Sequence, residues 1–398
     1  MIVHIFKMVW NRKGANALIG LEILIAFLVL FGVCAVAVYH FDHYRRPLGF
    51  DVENVWKIDL TFGEEDIPAL ADVREELDRM LSELRSFDQI EAAAGLSFSP
   101  YSGRGWRWRI DDERGKVFVW MLNATDEADR VLGVELLRGR WFESADDADP
   151  ARTLVINEEM ARSLFPGEDP LGKTLVDSVD DEEVVFRVVG LVRDFRYRGE
   201  LAEPVPFAFV RPQNESNVFD FLQTLMVRVR PGVPAAFEEA ILERLQSLEP
   251  EWSFKITPLA AAREEYLRRR LAPLLVAGLV AGFLMIMVAL GLVGVLWQSV
   301  TQRIRELGLR RAKGATAARI RRQVLGELLI LTALALAVGV LVVVQLPITG
   351  WFPAASAGVY LAAVLLAAAL MGGITLLAGL YPSYLATRVE PAEALHYE

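Results

Sequence analysis

The chain has 398 residues, 53% of them hydrophobic, and a formal net charge of −10. The charge is uneven: residues 41–270 hold 30 Lys+Arg against 46 Asp+Glu, a net of −16, and the rest holds 12 against 6, a net of +6. The acidic part argues against nucleic-acid binding, which needs a basic face, and a single cysteine, Cys34, leaves no disulfide framework or CxxC metal site.

Residues 1–16 open the chain with Ile2, Val3, Ile5, Phe6, Val9 and Trp10 interleaved with Lys7, Arg12 and Lys13, a pattern for a short amphipathic helix on the inner membrane surface. An apolar segment over 17–40 follows. It is too long for a signal-peptide core and no A-x-A-like cleavage site comes after it, so it reads as a retained anchor. Three more apolar segments lie at 271–300, 324–346 and 359–386. Each has the ~20 apolar residues that carry a helix across a bilayer, and their few charges, such as Glu22 and Glu327, sit near segment ends. The expected fold class is therefore an α-helical membrane protein with four transmembrane helices and one large α+β domain, 41–270, outside the membrane.

That domain shows a weak internal repeat. A strand at 55–60, an amphipathic helix at 68–86 and a strand at 90–98 are mirrored by a strand at 224–230, a helix at 234–248 and a strand at 252–258. The two β-α-β units, within 51–98 and 218–262, can build one membrane-proximal α+β layer. Between them, 99–217 reads as a β-rich insert, with strands at 106–111, 116–122, 153–157, 184–192 and 205–210 and a helix at 158–164. Its acidic runs at 146–149 and 180–183 lack the glycine-bearing, ligand-spaced loop of a calcium site.

The stretch 301–323 is a short loop carrying Arg303, Arg305, Arg310, Arg311, Lys313, Arg319, Arg321 and Arg322, whereas the loop 347–358 carries no basic residue. Basic short loops stay in the cytoplasm. That places this loop, the N-terminus and the tail 387–398 inside, and 41–270 outside. Arg268–Arg270 then fall on the outer side, against the rule; long domains cross regardless of charge. In the loop, Ile304, Leu307 and Leu309 interrupt the basic residues, and Gly308 and Lys313-Gly314-Ala315 punctuate it. Solvation alone does not explain the apolar positions. A helix offering an apolar knob and a basic rim to a cytoplasmic partner does.

Several motifs read as decoys. Gly167-Glu168-Asp169-Pro170-Leu171-Gly172-Lys173-Thr174 fits the phosphate-loop pattern, but a helix precedes it, a strand-like segment follows, and Glu168 and Asp169 would repel phosphate. His40 and His43 have metal-ligand spacing without a third ligand. No nucleophilic or paired-carboxylate constellation can be assembled, so no enzyme activity and no cofactor or metal on this chain is expected. Gly278 and Gly282 form a GxxxG pair; helix packing within the chain is the simpler reading, a seam between two copies the alternative. Gly372-Gly373 reads the same way.

The loop sequence TQRIRELGLRRAKGATAARIRRQVLGELL resembles that of MacB/FtsX-type ABC transporter permeases, whose run is typically R-x-R-E-[IL]-G-[IL]-R-x-A-x-G-A. The ending LLAGLYPSYLATRVEPAEALHYE is similar to that family's ending, and VINEEMARSLFPGEDPLGKTL with VVGLVRDFRYRGEL is similar to its outer core domain. The resemblance implies that Arg303, Arg305, Glu306, Leu307, Gly308, Leu309, Arg310, Arg311, Lys313, Gly314 and Ala315 form the element that docks on an ATP-binding cassette ATPase. It also implies a separate ATPase subunit carrying ATP and Mg²⁺, a second permease in a homo- or heterodimer, and a periplasmic adaptor as a further candidate partner. Hydrolysis would move the outer domain to export or extract a hydrophobic, peptide-like or lipid-linked substrate at the bacterial inner membrane. The alternative is a signalling permease that controls a periplasmic or cell-wall partner.

Overall fold

The structure, a computed structural model, describes residues 13–61, 70–112, 115–179, 182–212, 222–302, 309, 315–347 and 356–385. The expected surface helix over 1–16 falls almost wholly outside these residues. The described elements begin with helix α1 (Lys13–Tyr44), strand β1 (Val55–Thr61), helix α2 (Leu70–Arg85) and strand β2 (Ile90–Leu96). Then come β3 (Trp106–Asp112), β4 (Gly115–Asn123), α3 (Ala128–Leu132), β5 (Leu136–Gly139), β6 (Arg152–Asn157), α4 (Glu158–Leu164), β7 (Thr174–Val179), β8 (Glu182–Val192) and β9 (Phe207–Val210). Strand β10 (Thr224–Val229), helix α5 (Phe237–Leu248), strand β11 (Ser253–Pro258) and helices α6 (Leu259–Gln302), α7 (Ala317–Val343) and α8 (Ala357–Leu385) complete the series. The chain divides into two compact units, Met1–Asp42 with Arg270–Glu398, and His43–Arg269.

In the second unit the two β-α-β units do not lie side by side. They interleave into one antiparallel sheet of order β11-β1-β10-β2, the split arrangement of ferredoxin-like folds. Val227 stands between Trp56 on β1 and Ala93 on β2, which fixes the register. Alternation sends Leu225 and Val227 to one face of the sheet and Met226 to the other. Leu77, Met80, Leu81 and Leu84 of α2 and Ile241 and Leu245 of α5 cover the first face. Their spacing of three and four is that of an amphipathic stripe. The other face meets Val131 and Leu132 of α3 and an aromatic cluster of Phe50, Phe98, Phe195, Phe207 and Phe209. With both faces covered, β2 can be almost entirely small and apolar.

The insert is a mixed sheet of order β3-β4-β9-β6-β8-β5, with β7 also paired to β8. The short β5 and helix α3 were not expected from the sequence. In the P-loop-like segment Gly172 N–H donates to the Val188 carbonyl and Lys173 N–H to that of Pro170, and Lys173 pairs with Glu168 at 2.7 Å. These backbone donors are spent on a turn between helix α4 and strand β7.

The first unit contains α7 and α8 with most of α1 and of α6. Each of these four helices is long and apolar enough to cross a membrane. Ile23, Phe27 and Leu30 of α1 meet Val288 and Leu292 of α6, Leu328 and Ala335 of α7 and Ala367 and Met371 of α8 in one core. Helix α6 begins at Leu259, ahead of the expected second span at 271–300, and runs unbroken through Pro273. At 1.5 Å per residue it is roughly 66 Å long, about twice what a bilayer core requires. Its leading turns are charged, so hydropathy did not reveal them.

Candidate functional site: an arginine-stapled joint

Within the unit His43–Arg269, the loop after β8 ties the last turn of α1 to the first turns of α6. Its sequence is Arg193-Asp194-Phe195-Arg196-Tyr197-Arg198-Gly199-Glu200. Among the described residues Arg196 is the largest fully buried side chain. Its guanidinium donates to the carbonyls of His43 at 2.9 Å, Arg46 at 3.1 Å and Ala202 at 2.6 Å, and to that of Glu200. The Arg196 N–H adds a bond to the Leu48 carbonyl at 2.9 Å. A planar fork with five donors suits such a ring of carbonyls. Burial, followed by the charge of Arg46, draws the Arg196 pKa below the usual arginine value.

Four residues on, the buried Glu200 accepts from Arg263 of α6 and, at 3.4 Å, from the Tyr101 hydroxyl. Tyr101 holds a left-handed backbone (φ 63°) and packs against Tyr266 of α6 with ring centres 5.5 Å apart. Burial, reinforced by the Glu200 charge, pushes the Tyr101 phenol far above its usual range. Gly199 has φ 89°, and a Cβ there would stand 2.6 Å from the Tyr101 ring and 2.8 Å from that of Tyr266. Only glycine fits. Gly49 (φ 81°) abuts the Asp194 carbonyl in the same way. Asp194 accepts from the Glu159 N–H and from Arg162, both at 2.8 Å, and so anchors the loop on the N-terminus of α4. Phe195 and Tyr197 bury their rings among Phe50, Phe207, Phe209 and Trp120. One short segment thus bonds to α1, α4 and α6 while its aromatics lock it into the core.

Of the predicted coupling residues, Arg303, Arg305, Glu306, Leu307, Gly308, Arg310, Arg311, Lys313 and Gly314 lie outside the described residues. Leu309 is exposed and Ala315 half-buried. Thr316 caps α7, its side chain accepting from the Arg319 N–H. A Cβ on Gly278 or Gly282 would meet nothing within 4 Å, so among the described residues no neighbour packs on that pair. Neighbours do pack on Gly339 of α7, where a Cβ would stand 2.5 Å from the ring of Phe27, and on Gly379 of α8, where it would stand 2.7 Å from Leu325. The joint was not singled out from sequence. Its signal was the density of aromatic and basic residues around one glycine in RDFRYRGE.

The family models assign this combination of four apolar helices and an α+β unit to a permease class. The MacB-like periplasmic core domain family matches residues 17–244, and the FtsX-like permease C-terminal family matches residues 278–391. Among relatives, the macrolide export ATP-binding/permease protein MacB 2 of Aeromonas hydrophila is 26% identical over 68% of this chain and 42% of its own length. The uncharacterized ABC transporter permease YknZ of Bacillus subtilis is 26% identical over 67% of both chains. The pyoverdine export protein PvdT of Pseudomonas savastanoi is 28% identical over 66% of this chain and 40% of its own. The match therefore spans about two fifths of the length of the exporters. The periplasmic region of MacB from Actinobacillus actinomycetemcomitans superposes with a TM-score of 0.39 at 17% identity, covering 54% of this chain and 92% of that one. The chain belongs to the MacB/FtsX-type ABC transporter permeases.

Proposed function

We propose that this permease converts ATP hydrolysis on a separate cassette subunit into motion of the outer unit, and so exports or extracts a hydrophobic, peptide-like or lipid-linked substrate. The observation that carries this reading is the joint, where Arg196 and Glu200 bond one loop to both α1 and α6. That shared network is, in this reading, where a displacement at the end of α1 or the start of α6 would reach the insert. In this reading the loop 301–323 is the handle on the cytoplasmic side, with Arg310 and Arg311 on its rim and the exposed Leu309 as its apolar contact. The permease works as a dimer, and the open faces of Gly278 and Gly282 are the candidate seam. The export named for the MacB and PvdT relatives supports export here.

The test is co-purification. Arg310→Glu with Arg311→Glu should abolish recovery of the cassette ATPase with the tagged permease, because reversing desolvated rim charges costs about 2–5 kcal/mol. Unchanged recovery would remove the loop from the docking surface.

A further inference from the structure

Glu22 is a carboxylate within the first span that neither the joint nor the helix core uses. It lies on α1 five residues after Ala17, roughly 8 Å into the apolar stretch. Its side chain turns toward α6: a Cβ on Gly291 would stand 2.9 Å from one carboxylate oxygen and 3.3 Å from the other. Glycine at 291 therefore makes room for the carboxylate. Gly291 in turn lies eleven residues, roughly 16 Å, before Gln302 at the end of α6. The buried threonines and the second carboxylate of the bundle have partners. Thr332 donates to the Thr375 hydroxyl at 3.4 Å, Thr375 donates to the Met371 carbonyl at 2.8 Å, and Glu327 accepts from Gln323 at 3.4 Å. Among the described residues none donates to Glu22 or pairs with it.

The contact lies on the rim of the core in both helices. On α1, Ile19, Ile23 and Ala26 to one side of Glu22 are buried, and Leu18, Leu21 and Ile25 to the other are exposed. On α6, Val288 and Leu292 to one side of Gly291 are buried, and Met287, Leu290 and Gly294 to the other are exposed. A Cβ on Gly294 would meet nothing within 4 Å. The two helices thus leave an apolar furrow on their outer side, with one carboxylate at its edge and two glycines lowering its floor. Gly282 lies nine residues before Gly291, two and a half turns, so it faces the opposite way and a seam there leaves the furrow open.

A carboxylate without a counter-charge in an apolar setting is costly and selects a cation. A metal ion is not matched, since it takes several oxygen ligands, and the exposed residues flanking the contact are aliphatic, thioether or glycine. An ammonium group needs one counter-charge, and hydrocarbon attached to it suits Leu18, Ile25 and Met287. We propose that the furrow between α1 and α6 binds a hydrophobic amine, its ammonium donating to Glu22 and its hydrocarbon lying along these apolar residues. Occupancy needs neither the ATPase nor export, so its failure would leave the coupling role untouched.

The test uses the full chain in detergent and a dodecylamine that carries a photoactivatable diazirine, with the corresponding alcohol as the neutral probe. Labelled peptides are quantified by mass spectrometry. The amine should label α1 around residue 22 and α6 around residue 291 at least about fivefold more than the alcohol does. Glu22→Gln should remove that excess and Glu22→Asp should keep part of it, whereas Glu327→Gln, at the other carboxylate of the bundle, should keep it all. If Glu22→Gln elutes as aggregate, Gly291→Ala decides, since its methyl displaces the carboxylate and should lower the excess. Equal labelling by amine and alcohol, labelling confined to other helices, or an excess that survives the deciding variant overturns the proposal. Loss of the excess on adding phosphatidylethanolamine would make a membrane aminolipid the occupant, and its persistence a free hydrophobic amine; both outcomes bear out recognition of the ammonium group.

Discussion

At the residue scale, Arg196 shows how a charge is kept in a protein interior without a counter-charge in contact. Four carbonyl oxygens receive its donors, and each charge-assisted bond is worth about 1.5–3 kcal/mol. Arg196→Met should cost roughly 3–5 kcal/mol, less than the sum because the carbonyls relax together, and a thermal melt would show it. Arg193→Met, which removes an exposed pair with Glu135, should leave the midpoint unchanged. The tyrosines make a pH prediction. Burial pushes the Tyr197 phenol up to about 12, against the opposing pull of Arg198, and Tyr101 is shifted in the same direction. A raised folded pKa gives stability that is complete below the unfolded value near 10 and lost as pH rises toward 12. The melting midpoint should therefore fall between pH 10 and 12, and the double variant Tyr101→Phe with Tyr197→Phe should flatten that fall.

At the element scale, the glycines of the spans separate by the face they occupy. Gly339 receives Phe27, so Gly339→Ala must displace an aromatic ring inside the helix core. Its melting midpoint in detergent should drop by several degrees. Gly278→Ala and Gly282→Ala, which add a methyl to open space, should leave the monomer's midpoint unchanged or slightly higher, as expected for alanine in a helix. Motif spacing could not make this distinction, because GxxxG fixes which residues share a face and not what faces them. The same limit runs through the fold. The four apolar runs and the two β-α-β units were legible, since each is written in local periodicity. The insertion of β10 between β1 and β2 is a long-range pairing with no local trace. Residues 259–270 of α6 were hidden because their helical signal is charge spacing. Arg268 pairs with Glu264 at 2.9 Å, and Arg269 with Glu265, both four residues apart. The basic cluster that seemed to break the charge rule is thus largely neutralised along a solvated helix face in its favourable orientation. The joint was legible only as composition; what it joins depends on residues 43–46 meeting residue 196.

At the scale of the whole molecule, the basic residues crowded into the short stretch 301–323, against none in 347–358, predict that 301–323 is the loop retained in the cytoplasm. Cysteine labelling converts this into a measurement. Cys34 is buried, and replacing it with serine clears the background. On that background Glu251→Cys, at an exposed position between α5 and β11, should react with a membrane-impermeant maleimide in intact cells. Ala318→Cys, exposed in the first turn of α7, should react only after permeabilisation. The reverse pattern would invert the topology and place 301–323 on the side away from ATP. It would also remove the coupling role, because a handle must lie where hydrolysis occurs. The sidedness experiment therefore tests the mechanism independently of any substrate.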